Sequence, residues 1–143
     1  MSSYENPTYK YSLLYPTGWT IDQSNTALVT FTGPGSSSIV VDYDLDSTKA
    51  SVADYKSAKV TAFQATVSGY TTVSDTPDNR AGTVKVDATY TQAAVAKRAY
   101  LFADYPKPRG FFIVLSAATA DFSGLQNRFN QVLGSWQVPA IVK

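Results

Sequence analysis

Residues 8–19 read TYKYSLLYPTGW. Tyr9, Tyr11, Leu13 and Tyr15 alternate with Lys10, Ser12 and Leu14, and the run stops at Pro16-Thr17-Gly18 before Trp19. Period-two alternation and this tyrosine and leucine content predict a strand over 9–15, closed by a turn. Such a row is either an exposed aromatic platform or the first strand of a core. The core reading is preferred, because a buried tyrosine ring needs only one partner for its hydroxyl. Trp19 would then plug one end of the sheet.

Working outward, a short strand starts at Trp19-Thr20-Ile21, and alternation returns at ALVTFT (27–32) and SIVVDYDL (38–45), with a glycine- and proline-rich loop from Gly33 to Ser37 between them. In the last run Ile39, Val41, Tyr43 and Leu45 share a face. From Ser51 the pattern changes to helical spacing: Val52, Tyr55, Ala58, Ala62, Phe63 and Thr66–Val67. Ser51 and Asp54 form a capping box, and Gly69 is the expected stop. Strands follow at 70–76, 82–92 and 95–104, with a turn at Pro77-Asp78-Asn79 and a hairpin loop at Tyr105–Gly110. FFIVLSAAT (111–119) is apolar on both faces and reads as a central strand. A closing helix starts at Asp121 as N-cap. Its apolar stripe is Phe122, Leu125, Phe129, Val132, Leu133 and Trp136, and Gln137-Val138-Pro139 ends it. The order β-β-β-β-α-β-β-β-β-α, with short loops after residue 80, predicts an α+β fold: a single antiparallel sheet sandwiched between helices.

The chain has 143 residues, the size of one domain, and a domain of this length hides about 70% of its unfolded surface. It has no cysteine and no histidine, which removes disulfide and thiolate chemistry and the usual general base near neutral pH. A net charge of +1 gives no electrostatic reason to expect nucleic acid or an anionic membrane as partner. No apolar run has the length of a membrane span. The opening Met1-Ser2-Ser3-Tyr4 carries no basic and apolar leader signal, which fits either a cytosolic chain or one whose leader or lipid anchor has been cut away; the second is preferred.

The stretch from Tyr11 to Trp19, with its Tyr15-Pro16-Thr17-Gly18-Trp19 ending, resembles the opening signature of PsbP-type domains. The order of the rest agrees: a Ser51-Val52-x-x-Tyr55 helix, a later strand carrying Arg98, an apolar strand ending Ser116-Ala117-Ala118, and a closing helix ending Gly134-Ser135-Trp136. The likeness covers about residues 8–138. It implies a PsbP/Mog-like α-β-α sandwich and a binding or assembly role without catalysis. Members include the extrinsic subunit of the photosystem II oxygen-evolving complex, bacterial and archaeal lipoproteins, and a Mog-type factor that binds the small GTPase Ran. Histidines serve the metal sites proposed for photosynthetic members, and this chain has none. The resemblance therefore implies a prokaryotic relative, extracytoplasmic or membrane-anchored through a segment absent from this chain. The expected partner is a protein, and the expected state is a monomer without a cofactor.

Three constellations are candidate sites. Asp42, Asp44 and Asp46 would share a face opposite Val41, Tyr43 and Leu45. They read either as a weak Ca²⁺, Mg²⁺ or Mn²⁺ site or as a solvated strand end with Lys49, Lys85 or Arg98 as counter-charge. Ser47 and Ala53 stand where a calcium loop needs glycine and glutamate, so an EF-hand is excluded. Asp87, Arg98 and Asp104 form either a cross-strand ion pair, the preferred reading, or the lining of a shallow cleft. Lys107-Pro108-Arg109 is a stiff basic hairpin tip that either docks an acidic partner or blocks strand pairing. Lys107, Arg109 and Arg98 are thus the candidate partner-binding residues. No nucleophile elbow or phosphate loop is present. Three functions follow: a non-catalytic extracytoplasmic binding module, a cytosolic small-GTPase regulator, and a small-ligand carrier with its pocket between the sheet and the terminal helix.

Overall fold

The computed structural model describes residues 1–77 and 82–139. Nine strands and two helices follow in the order β1 (Ser2–Glu5), β2 (Ser12–Tyr15), β3 (Thr20–Asp22), β4 (Leu28–Thr32), β5 (Ser38–Asp44), α1 (Val52–Gln64), β6 (Ser68–Pro77), β7 (Thr83–Gln92), β8 (Val95–Asp104), β9 (Gly110–Ala118) and α2 (Thr119–Ser135). Seven strands form one antiparallel sheet in the order β3-β4-β5-β9-β8-β7-β6. β9, apolar on both faces, is its central strand, as its composition predicts.

The aromatic stretch does not join that sheet. β2 pairs with β1, a strand the alternation did not reveal, and the two form a separate sheet. The expectation of a single sheet is corrected accordingly. β2 also starts at Ser12, three residues later than the alternation predicts. Asn6 is the reason: its buried side-chain oxygen accepts from the amides of Thr8 and Tyr9, both at 2.9 Å, and its amide nitrogen donates to the Thr26 carbonyl at 2.9 Å. An asparagine that offers its own acceptor to the next amides holds a turn against a strand ladder. Lys10 completes the turn with φ 66°. The core reading of the tyrosines holds. Tyr11 and Leu13 are buried, and Tyr9 and Tyr15 pack against the same cluster. Trp19 is buried edge-on to Phe129, with centroids 6.3 Å apart.

The alternation of the sheet divides its side chains between two faces. Ile39, Val41 and Tyr43 of β5, Tyr100 and Phe102 of β8, and Phe111, Ile113 and Leu115 of β9 form one cluster with α2 and the β1–β2 hairpin. Val86 and Ala88 of β7, Leu101 and Ala103 of β8, and Phe112 of β9 form a second with Tyr55 of α1 and with Tyr105. Leu45, expected beside Tyr43, lies past β5 and is exposed. Among the described residues no helix is long and apolar enough to cross a membrane.

Helix boundaries follow local hydrogen bonds. Ser51 caps α1 by accepting from the Asp54 amide at 3.2 Å, as predicted. The helix ends at Gln64 rather than near Gly69, because both the amide and the hydroxyl of Thr66 turn back to the Phe63 carbonyl, at 2.9 and 2.7 Å. Gly69 instead falls within β6. α2 starts at Thr119, with Ala118 at the N-cap and no side-chain cap. β9 runs straight into it, so Asp121 sits in the first turn, where a carboxylate still favours the positive end of the helix dipole. The expected turn at Pro77-Asp78-Asn79 begins where β6 ends, and Asp78 and Asn79 lie outside the described residues.

The β7–β8 hairpin turns on Ala93 and Ala94, between the paired residues Gln92 and Val95. Both alanines have positive φ, 52° and 64°. A two-residue turn of this hand favours Asn-Gly, and a left-handed L-residue costs about 1–2 kcal/mol. The double substitution Ala93→Asn, Ala94→Gly is therefore expected to stabilise the protein by about 1–2 kcal/mol, after the extra entropy of an unfolded glycine is deducted. Thermal unfolding should shift up by roughly 3–6 °C. An unchanged or lower midpoint would mean that the turn's side chains carry the hairpin in some other way.

Candidate functional site

α1 packs across β7, β8 and β9, and its one fully buried side chain is Tyr55. Toward β5 and β4 the same face of the sheet stays open. A cleft of about 300 Å³ results, at the lower end of the range for small-molecule sites. Leu28, Val40, Phe112 and Val114 line its floor, and Ala62 and Phe63 of α1 form its wall. The hydrophilic side chains around it are mostly engaged. Ser38 and Ser116 share a hydrogen bond at 3.3 Å, Thr66 donates to the Phe63 carbonyl, and Gln92 accepts from Lys97 at 3.2 Å. Burial pushes the Tyr90 phenol up, with the Ser116 hydroxyl beside it acting in the opposite sense. With few free polar groups, the cleft presents mainly apolar surface.

The small-ligand expectation put the pocket beside the terminal helix. The structure moves it to the first. The sheet face beneath α2 is filled by Phe122, Phe129, Val132 and Leu133, each 5% exposed or less. A more open groove of about 450 Å³ lies past the end of α2, against Asp104, Tyr105 and Trp136.

One end of the cleft is ionic. Asp42 and Asp44 share the face opposite Tyr43, and the Lys59 ammonium reaches both, at 2.7 and 3.1 Å. The Tyr55 hydroxyl donates to Asp44 at 2.7 Å. Burial lowers the Lys59 pKa, but hydrogen bonds and charge from Asp42 and Asp44 outweigh it and hold the ammonium above its ordinary value. Burial, followed by the Asp44 hydrogen bond, pushes the Tyr55 phenol up.

The counter-charge of the acidic strand is therefore Lys59, not Lys49, Lys85 or Arg98. Lys85 lies over the Tyr100 ring at 4.6 Å, and Arg98 pairs elsewhere. Asp46 is not brought to the other two; it is exposed in the bend after β5. Among the described residues no group of three or more histidine, cysteine or acidic side chains is arranged to hold a metal ion. Lys59 had a readable signal. It sits four residues after Tyr55 on the stripe that continues to Ala62 and Phe63, and a charge on a buried helix face calls for a partner across from it.

The three basic candidates do not converge. Arg98 Nε and Nη2 grip both Asp87 oxygens, at 2.9 and 2.6 Å, and its guanidinium lies over Phe122 at 4.8 Å. That is the cross-strand pair predicted, and it pushes the Arg98 pKa up chiefly through the Asp87 hydrogen bond. Lys107 and Arg109 lie at the other end of β8, six residues beyond Arg98 at Asp104 and further, or more than ~20 Å along the strand. Lys107 Nζ donates to the Ala50 carbonyl at 2.7 Å, and the Tyr105 hydroxyl to that of Lys49, also at 2.7 Å. Arg109 lies against the Tyr43 phenol. The hairpin tip is thus tied to the loop that precedes α1.

A central apolar strand, helices seated on opposite faces of the sheet and an apolar cleft beside α1 define the architecture. Comparison with solved structures gives the fold a name. PsbP (CyanoP) of Synechocystis sp. PCC 6803 superposes with a TM-score of 0.71 at 13% identity, over 96% of this chain and 92% of that one. The Ran-binding protein Mog1p of Saccharomyces cerevisiae gives 0.71 at 7% identity, over 96% and 94%. LpqN, involved in cell envelope biogenesis of Mycobacterium tuberculosis, gives 0.51 at 14% identity, over 91% and 84%. No family model and no curated protein matches the sequence. The fold is PsbP/Mog-like.

Proposed function

We propose that this protein is a non-catalytic binding module of the cell envelope that takes an apolar group into the cleft between α1 and the sheet. The cleft carries the reading: about 300 Å³, floored by Leu28, Val40, Phe112 and Val114, with most polar neighbours already satisfied. Both carboxylates at its edge are ion-paired with Lys59, so neither stands free as an acid or base. Likeness to LpqN, described as involved in cell envelope biogenesis, supports the location.

A neutral probe, decan-1-ol, tests the site. Held below its solubility limit, it should raise the melting temperature in proportion to ln(1 + [L]/Kd). Ala62 is exposed on the helix wall, so Ala62→Trp should fold normally while filling the cleft, and its stabilisation by decanol should vanish. No stabilisation of the unaltered protein, or equal stabilisation of both, overturns the proposal. Cell fractionation of the native gene product tests the location, and a wholly cytosolic protein would refute it.

A further inference from the structure

The cleft is electrically lopsided. It runs along the strands from the pair Asp42 and Phe112 to the pair Ser38 and Ser116, four residues or about 13 Å. At the first end two carboxylates share one ammonium, leaving an excess negative charge. At the second end stands Lys97. It lies on β8 opposite Tyr90, on the face that carries the cleft, and reaches Gln92, which lines it. Lys97 is half-buried, and among the described residues its ammonium has the neutral Gln92 side chain as its hydrogen-bond partner and no carboxylate. Burial alone lowers its pKa, the mark of a cation without a counter-ion. A partly desolvated lysine beside an apolar slot lacks one thing, an anion at the end of an apolar body.

We infer that the cleft binds a single-chain amphiphile with an anionic head, its chain laid along Val40 and Val114 toward the Lys59 end and its head paired with Lys97. This rests on the reading of the cleft as an apolar site. The volume corresponds to about ten groups the size of a water, near 30 Å³ each, so a chain of about eight to ten carbons fits. The excess charge of Asp42 and Asp44 repels an anion from the opposite end and fixes the direction of binding.

Decanoate and decan-1-ol have equal chains and different heads. Isothermal titration at neutral pH, below the micelle concentration, should find decanoate about tenfold tighter than decanol. Lys97→Gln keeps the side chain's length and should bring decanoate down to decanol while leaving decanol unchanged. Equal binding of the two, or a decanoate preference that survives Lys97→Gln, overturns the anionic head and leaves the apolar site standing. Failure of both ligands to bind overturns both readings. Chemical-shift changes confined to residues around Val40, Val114 and Lys97 would support the placement, and changes elsewhere would refute it.

Discussion

Trp136→Ala is expected to be among the most damaging single substitutions in this chain, with a loss of about 4 kcal/mol. Trp136 follows the last turn of α2 and is 1% exposed. Its ring meets Tyr11 at 5.0 Å and Phe111 at 5.2 Å, and its Nε1 donates to Asp104 at 2.9 Å. It thus ties together the β1–β2 hairpin, the central strand and the end of β8. The next residue, Gln137, exchanges backbone hydrogen bonds with Ser12, at 2.9 and 3.0 Å, so loss of the indole also loosens that bridge. Removing the largest buried side chain leaves a cavity that rigid strands cannot close. Total stability of a domain is about 5–15 kcal/mol, so the variant should stand close to unfolding. With a urea slope near 2 kcal/mol per molar, the midpoint should fall by about 2 M. Trp136→Phe keeps most of the ring and gives up the hydrogen bond, for about 1–2 kcal/mol. A loss under about 1 kcal/mol for the alanine variant would show that the hairpin is not held through this residue.

The same residue shows what the sequence makes legible. The α2 stripe from Phe122 to Trp136 could be read because helical spacing declares a buried face whatever it packs against. β9 could be read as central because only a strand covered on both sides can be apolar on both. The partners of these elements were less accessible. Nothing in the alternation of residues 9–15 distinguishes a strand of the main sheet from half of a separate hairpin, since both bury one face. The deciding group is Asn6, whose side chain takes the amides of Thr8 and Tyr9 just where the predicted strand would begin. The candidate site was harder still. Asp42 and Asp44 were visible as a pair, yet their counter-ion lies 15 to 17 residues away on a helix, and only the docking of α1 selects Lys59 over the other lysines. Lys97 was legible as a residue and not as a site. Its meaning comes from Gln92 and the open floor beside it, which depend on how far α1 extends across the sheet.

The seat of α1 on the sheet centres on its one fully buried side chain, and a mutant cycle should expose its weight. Tyr55 is 2% exposed and stacks on Tyr105, with centroids 4.9 Å apart and rings 8° from parallel. Its ring lies directly over Gly110. A Cβ at that position would collide with the Tyr55 ring, so the glycine is required for space, not for its backbone angles. Tyr55→Ala should cost about 3–4 kcal/mol and release α1, which has no other fully buried side chain to hold it. Gly110→Ala should cost about 2 kcal/mol, because either the central strand or the ring must give way. Together they should cost much less than their sum, since the new methyl enters the space the ring has left. A coupling of at least ~1 kcal/mol is expected, and strict additivity would place the two residues out of contact. The cycle also bears on function. The wall of the cleft is α1, so Tyr55→Ala should abolish decanol binding even where the sheet stays folded. Tyr55→Phe should keep it, at a stability cost of about 1–2 kcal/mol for the lost hydrogen bond to Asp44. Binding that survives in Tyr55→Ala would mean that the sheet face alone holds the ligand and that the helix only shields it.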